Sequence, residues 1–343
     1  MKGSTGLFGM KISGAVSSGY VCRPEAMREA LSSLGIFRRH LMSRRLLAVV
    51  PTLLVVATLA FVLVRLVPGG PFDRDRAVSP EVERALAARY HLDDPLPKQY
   101  AAWLSALLFH GDLGPTLRYP NRSVNELLAV GLPVSATLAG LALLFGLAVG
   151  VPLGTLAAAR RDTPVGAAAS GAAIVGLSLP QIVLGPVLVY ALALRLRLLP
   201  VAFWDGPRHM ILPVLCAGLP LAASVARLTR AGVLEALGAD WVRTARAKGL
   251  GEWAVVVRHT LRVGIVPLVD WLAPATSALL VGSLVVEKLF AIPGAGRHLV
   301  EAVQNRDYNL AVGITLVYGV LLVVLDAIAD VVRAALDPRA RTS

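Results

Sequence analysis

Charge is scarce in this 343-residue chain, and so are cysteine and aromatic residues: Asp, Glu, Lys and Arg make up 16%, Phe, Trp and Tyr 6%, and there are 2 cysteines. Cys22 and Cys216 lie far apart and match no metal-ligand spacing, which argues against a disulfide or a metal site. No GxxxxGK[ST] phosphate loop occurs, so ATP is not bound by that route, and HExxH and GxSxG are missing as well. The chain therefore offers no catalytic constellation and no bound cofactor. What abounds is apolar surface: 56% of the residues are hydrophobic and the mean hydropathy is +0.66, well outside the range of a soluble domain.

A bilayer core needs about 20 mostly apolar residues per helix. Six stretches qualify, 46–67, 133–157, 165–194, 210–229, 263–286 and 310–332. The second and third hold no charge at all. Arg65 and Arg227 lie near span ends, where Arg65 can snorkel; Asp270, Asp326 and Asp330 lie inside the last two spans, where a carboxylate must face protein or water. Arg38, Arg39, Arg44 and Arg45 before the first span place the N-terminus in the cytoplasm, and six crossings return Arg333, Arg339 and Arg341 to that side. The net charge of +12 then reflects topology and contact with anionic lipid or protein, not nucleic acid.

Residues 1–41 form no span and no signal peptide, and their Gly- and Ser-rich composition predicts a disordered cytoplasmic extension, with Met42 before "SRRLL" as an alternative start. The segment 68–130 alternates turn signals with amphipathic runs near 80–90 and 97–109, which predicts a small folded cap at the outer mouth. Such a cap either receives a partner or packs on its own helices.

Between the fourth and fifth spans lies "WVRTARAKGLGEWAVVVRH", 241–259. Asp240 is placed to cap a helix over 241–248, Gly249 to end it in a left-handed turn, and Gly251 to loosen the joint before a second helix from Glu252 through Val255, Val256, Val257, Arg258 and His259. Arg243 and Arg246 share one face of the first helix, Trp241 and Ala245 another. Three readings compete for this basic hairpin: a helix lying on anionic headgroups, a helix-turn-helix, and an element docked in a soluble partner. Tethering to the bilayer at both ends leaves DNA poor access, and a lipid-facing helix needs no sharp glycine stop. Docking is favoured.

The stretch "DWVRTARAKGLGEWAVVVRHTLRVGIVP", 240–267, resembles the cytoplasmic coupling loop of ABC importer permeases of the dipeptide/oligopeptide/nickel branch. The resemblance extends to "LVPGGP" at 66–71, "HLDDPLPKQYAAWLSALLFHGDLGPTLRY" at 91–119, "GSLVVEKLFAIPGAGRHLVEAVQNRDYN" at 282–309 and "ALDPRAR" at 335–341, thus to nearly the whole chain after residue 42. It implies an all-α integral membrane protein of six transmembrane helices with the type I permease fold. Residues 42–343 would be the permease domain and 230–262 its coupling loop. The loop core would comprise Arg243, Thr244, Ala245 and Gly249, with Trp241, Arg246, Ala247, Lys248 and Leu250 beside them. The implied partners are a second homologous permease, cytoplasmic ATPase subunits that hold ATP and Mg, an extracytoplasmic solute-binding protein and membrane lipid, all at a bacterial inner membrane. Peptides are the implied cargo, although the branch also handles nickel complexes.

The chain departs from that family at Trp241, where Tyr is usual, and at Val263, Asn309, Asp326 and Arg333, where Asn, Pro, Asn and Tyr are frequent. The alternative function is a stand-alone secondary transporter using Asp326 and Asp330, four apart on one helical face; their simpler reading is ion pairing at the inner end. Asp270 and Glu287 either contact substrate or satisfy neighbouring helices. The "IPGAGRH" turn at 292–298 needs no ligand, and Pro180 and Pro186 interrupt the third span, as a translocation path or a routine kink would require.

Overall fold

A computed structural model describes residues 49–66, 81, 84, 88, 90, 92–119 and 121–336. The chain divides into two units, Met1–Val49 and Val50–Ser343, and the fold that follows is that of the second. The N-terminal extension, most of the amphipathic run near 80–90 and the side chains of Asp330 and Arg333 lie outside the described residues.

The first apolar stretch forms α1, Val49–Leu66. Helix α2, Leu96–His110, follows on the cap side of the bundle; Pro95 and Pro97 set its start, and Gly111, at φ 64°, ends it in a left-handed turn. Helix α3, Val124–Ala159, is opened by Ser123, whose hydroxyl accepts from the Glu126 N–H. A short turn leads to α4, Pro164–Ser178, capped by Thr163. Helix α5, Gln181–Leu188, continues into the π-helical turns Val189–Arg195.

Then come α6, Pro207–Leu237, and the short α7, Asp240–Ala247. A helical run over 252–264, here α8, has a π-helical middle at Val255–Thr260. Helix α9 is Val266–Leu289, α10 is Ala295–Asn305 and α11 is Tyr308–Leu336. Among the described residues the one pairing of extended backbone is an isolated bridge, Pro115 to Ser123.

Among the described residues four helices, α1, α3, α6 and α11, are long and apolar enough to cross a membrane unbroken. The other two expected spans are bent pairs, so the total is six when each pair counts once. Residues 266–289 bend by 42° about Pro274. The third stretch departs furthest from a simple crossing: α4 and α5 meet at 107° across Leu179 and Pro180. Apolar length marks membrane depth but carries no direction, and proline supplies no N–H to carry the helix through.

The bundle is built on α3 against α6. Gly146, Gly150 and Gly154, four apart on α3, face α6 so closely that a Cβ on Gly150 would lie 2.6 Å from the Ala222 carbonyl oxygen. With no hydrophobic force between helices in lipid, such small-residue stripes let backbones approach and gain dispersion contact. On the cap side, Phe61, Tyr100 and Trp103 stack with centroids 5.2 to 6.2 Å apart and join α1 to α2. Arg65 does not snorkel away. Its guanidinium lies 3.5 Å above the Phe61 ring, its Nε donates to Gln99 Oε1 at 3.1 Å, and its Nη2 reaches Asn309 on α11.

Candidate functional site

The hairpin stands at the end of α6, whose 31 residues make a rod of about 46 Å at 1.5 Å per residue. That exceeds a bilayer core of roughly 30 Å, and the hairpin follows directly on the C-terminal end of α6. Helix α7 begins one residue earlier than its sequence pattern suggests. Its N-cap is Ala239, with no side-chain cap, and Asp240 is the first helical residue, 3.6 Å from Arg243 in an exposed pair. An acid in the first turn still favours the positive helix end.

The expected glycine stop is present and its bonding is complete. Gly249 sits at φ 80° and its N–H donates to the Arg246 carbonyl at 2.9 Å, while the Leu250 N–H reaches the Ala245 carbonyl at 3.4 Å. These two bonds are the Schellman pattern, which requires a left-handed residue where Gly249 stands. Gly251, by contrast, has an ordinary φ of −63°, so its lack of a side chain is not a backbone requirement.

The buried face differs from the one read off the sequence. Val242, at 0% exposure, and Ala245 pack against Val255 and Leu237, whereas Trp241 is 40% exposed. Helical spacing says which residues share a face but not which face the partner arm will cover. Trp241, Arg243, Leu250 and Trp253 are each exposed.

Arg246 is not a free cation. It forms a two-point ion pair with Glu252 across the glycine turn, Nε to Oε2 at 3.0 Å, and so ties α7 to α8. The hydrogen bond to Glu252 holds the Arg246 guanidinium above its ordinary pKa and the Glu252 carboxyl below its own. Thr244, Ala247 and Lys248 complete the helix, and the Lys248 N–H closes on the Thr244 carbonyl at 3.1 Å.

The second arm is clamped to α6 by a contact that sequence reasoning missed. Gly264 and Gly232 meet backbone to backbone, and a Cβ on Gly264 would lie 2.7 Å from the Gly232 carbonyl carbon and the Val233 nitrogen. Above it, Val256 packs with Val233 and Ala158. The hairpin is therefore internally tied, buried along one side and fused to a membrane-crossing rod.

At the opposite end, two buried carboxylates have structural work. Glu287 accepts from the Ser283 hydroxyl at 2.8 Å and from the Arg297 N–H at 2.9 Å, so it caps the start of α10. Gly294 and Gly296 are glycines because that carboxylate crowds where a Cβ would stand, which accounts for the "IPGAGRH" turn. Asp307 caps α11 through the Leu310 N–H and accepts from Leu117 and Arg118 at 3.0 and 3.1 Å, fastening the cap loop. Glu301 binds Arg297 at 2.8 Å and the Tyr119 hydroxyl at 3.0 Å. Burial alone would raise the Glu301 pKa, but these hydrogen bonds hold it below the ordinary value. The 117–119 end of the cap thus packs on the chain's own helices. Asp270 and Asp326 are exposed, unlike the buried Glu287 and Asp307.

The family described as binding-protein-dependent transport system inner membrane component matches residues 150–342, which include the whole hairpin. The chain belongs to this family. The permease is 40% identical over 298 residues to the dipeptide transport system permease protein DppB of Bacillus subtilis, covering 87% of this chain and 96% of that one. It is 39% identical over 300 residues to the oligopeptide transport system permease protein OppB of Salmonella typhimurium, covering 87% and 98%.

Its fold is similar to that of the inward-facing MetNI methionine ABC transporter, with a TM-score of 0.54 at 17% identity over 62% of this chain and 97% of that chain. It is thus a multi-pass permease subunit of an ABC importer, and ATP hydrolysis resides in separate subunits. Family membership carries with it the general partnership of ATPase, binding protein and second permease, and it displaces the secondary-transporter alternative built on Asp326 and Asp330.

Proposed function

We propose that this permease forms half of the translocation pathway of a peptide importer and receives the ATPase stroke through the hairpin at 240–262. The observation that carries the reading is the hairpin's mechanical continuity. The hairpin that carries the exposed Trp241, Arg243, Leu250 and Trp253 is locked by the Gly249 turn and the Arg246–Glu252 pair and joined to α6 where Gly264 meets Gly232. A rigid element of this kind transmits displacement instead of absorbing it. Trp241, Arg243, Thr244, Ala245, Arg246, Ala247, Lys248, Gly249 and Leu250 make up the docking segment, on the cytoplasmic side with both termini.

ATP and Mg are held by the ATPase subunits, a second homologous permease completes the pathway, and an extracytoplasmic binding protein delivers cargo. Closure of the ATPase pair on ATP opens the pathway outward, and hydrolysis returns it inward. Peptide cargo is supported by the dipeptide and oligopeptide permeases to which the chain is similar.

Co-purification from native membranes in mild detergent tests the reading. The unaltered chain is expected to bring down an ATPase subunit, identified by mass spectrometry, and Gly249→Asp or Arg243→Glu/Arg246→Glu to lose or uncouple it. Absence of any ATPase under conditions that keep a control importer intact would refute docking through this hairpin.

A further inference from the structure

We propose that the segment 194–208 is a lipid-binding surface that takes the anionic phospholipid headgroups of the outer leaflet; its placement on the outer side rests on the reading that the hairpin docks in the cytoplasm. The segment joins the π-helical end of α5 to α6, so it leads into the N-terminus of α6, whereas the hairpin follows the C-terminus. It begins where the charge-free stretch 165–194 ends.

Its composition is unusual for that side. Outer loops beside membrane helices are poor in Lys and Arg. This one carries Arg195, Arg197 and Arg208 against the single acid Asp205. None of the three arginines forms an ion pair among the described residues. Interleaved with them, Leu194, Leu196, Leu198, Val201 and Phe203 are each at least 45% exposed.

The backbone holds these side chains out. Leu199 and Trp204 pack against the buried cluster of Leu212, Phe290 and Ile292. The Leu198 N–H donates to the Leu192 carbonyl and the Phe203 N–H to the Phe290 carbonyl, both at 2.9 Å. Arg197 and Phe203 stand at φ 52° and 78°, left-handed backbone that a side chain adopts only against its local preference. Trp204 is thereby kept in the bundle while Phe203 stays outside it.

Two requirements meet on this surface. Exposed apolar side chains gain by leaving water, and an unpaired guanidinium is expensive in hydrocarbon. The headgroup layer satisfies both, since Leu and Phe reach the acyl boundary while the planar Arg fork takes phosphate oxygens in pairs. Exposed Tyr190, in the π-helical turns just before the segment, has the apolar ring and polar tip that suit the same layer. Attachment to membrane helices at both ends holds the segment at this depth, which favours lipid over a soluble acidic protein.

Fluorescence quenching in the reconstituted importer, ATPase subunits included, tests the inference. Val201→Cys in a Cys22→Ser/Cys216→Ser permease carries an environment-sensitive fluorophore. The vesicles are phosphatidylcholine with graded fractions of brominated phosphatidylglycerol or brominated phosphatidylcholine. An arginine near an anionic surface favours it about fivefold, so two should bring half-maximal quenching at roughly a tenth of the mole fraction with the glycerol lipid. Arg195→Gln/Arg197→Gln is expected to erase that difference and Arg122→Gln, on the cap, to leave it intact. Phe203→Gly, which keeps the left-handed turn without its ring, should weaken quenching by both lipids. Equal quenching by the two lipids in the unaltered segment would overturn the headgroup site, and so would a label that neither lipid quenches because a binding protein or the second permease covers it. Preferential quenching in a preparation that has lost its ATPase would support the lipid surface and count against docking through the hairpin.

Discussion

Substituting Gly249 separates two reasons for a glycine at the hairpin turn. Its φ of 80° lies in the left-handed region, and a Cβ placed there meets nothing within 4 Å in this chain. Any penalty inside the permease is therefore conformational: a left-handed alanine costs about 1–2 kcal/mol. A shift of that size lowers the ratio of closed to open turns by about 5- to 30-fold. Asparagine is larger than alanine but tolerates the left-handed conformation through local hydrogen bonding.

Backbone strain thus ranks coupling as Gly249 above Gly249→Asn above Gly249→Ala. Steric contact of the ATPase groove with this position would instead rank alanine above asparagine. The assay is cargo-stimulated ATPase activity of the reconstituted importer, with ATPase affinity measured in parallel. Alanine equal to or better than asparagine would refute the conformational reasoning and point to bulk at the docking surface.

Gly264→Ala should force the second arm off α6 and destabilise the permease by about 1–3 kcal/mol, as overpacking does, read as a lower melting temperature in detergent with weakened coupling. Gly251→Ala should leave both unchanged, since nothing lies within 4 Å of its Cβ position. For the exposed Arg246–Glu252 pair, Arg246→Glu and Glu252→Arg should each weaken ATPase binding modestly, on the order of 1 kcal/mol or less, and the double swap should restore it; failure to restore would mean that Arg246 acts on the ATPase directly. Because Glu252 is shifted down, the pair's contribution is fully present above the ordinary carboxylate value, about 4.3, and fades as pH falls through the lower folded-state value. Coupling between pH 6 and 8 should therefore show no step from this pair. Asp307→Ala should strip acceptors from Leu117, Arg118 and Leu310 and cost about 1–3 kcal/mol, seen as lower thermal stability and faster proteolysis of the cap loop.

Features that depend on the chain's own neighbours along the sequence were legible before any fold was known. Apolar length marked six regions of membrane depth, and the Lys-Gly-Leu run after a short basic helix marked a left-handed stop, which Gly249 supplies. Features that depend on what lies across from a residue were not. Val242 instead of Trp241 is buried because α8 and Leu237 close on that side, and Arg246 is paired because the turn brings Glu252 to it.

Gly232 and Gly264 are 32 positions apart, and neither carries a local signal that the two backbones will touch. The 107° break was hidden for a related reason: a charge-free stretch of 30 residues with two internal prolines is equally compatible with a kinked crossing and with a sharp turn. Composition and local pattern determined that the chain enters a membrane and ends a basic helix on a glycine, because hydration and backbone sterics act residue by residue. The tertiary structure alone decided which surfaces are covered, which charges are spent and where the third span turns, because those outcomes depend on contacts between segments that the sequence keeps far apart.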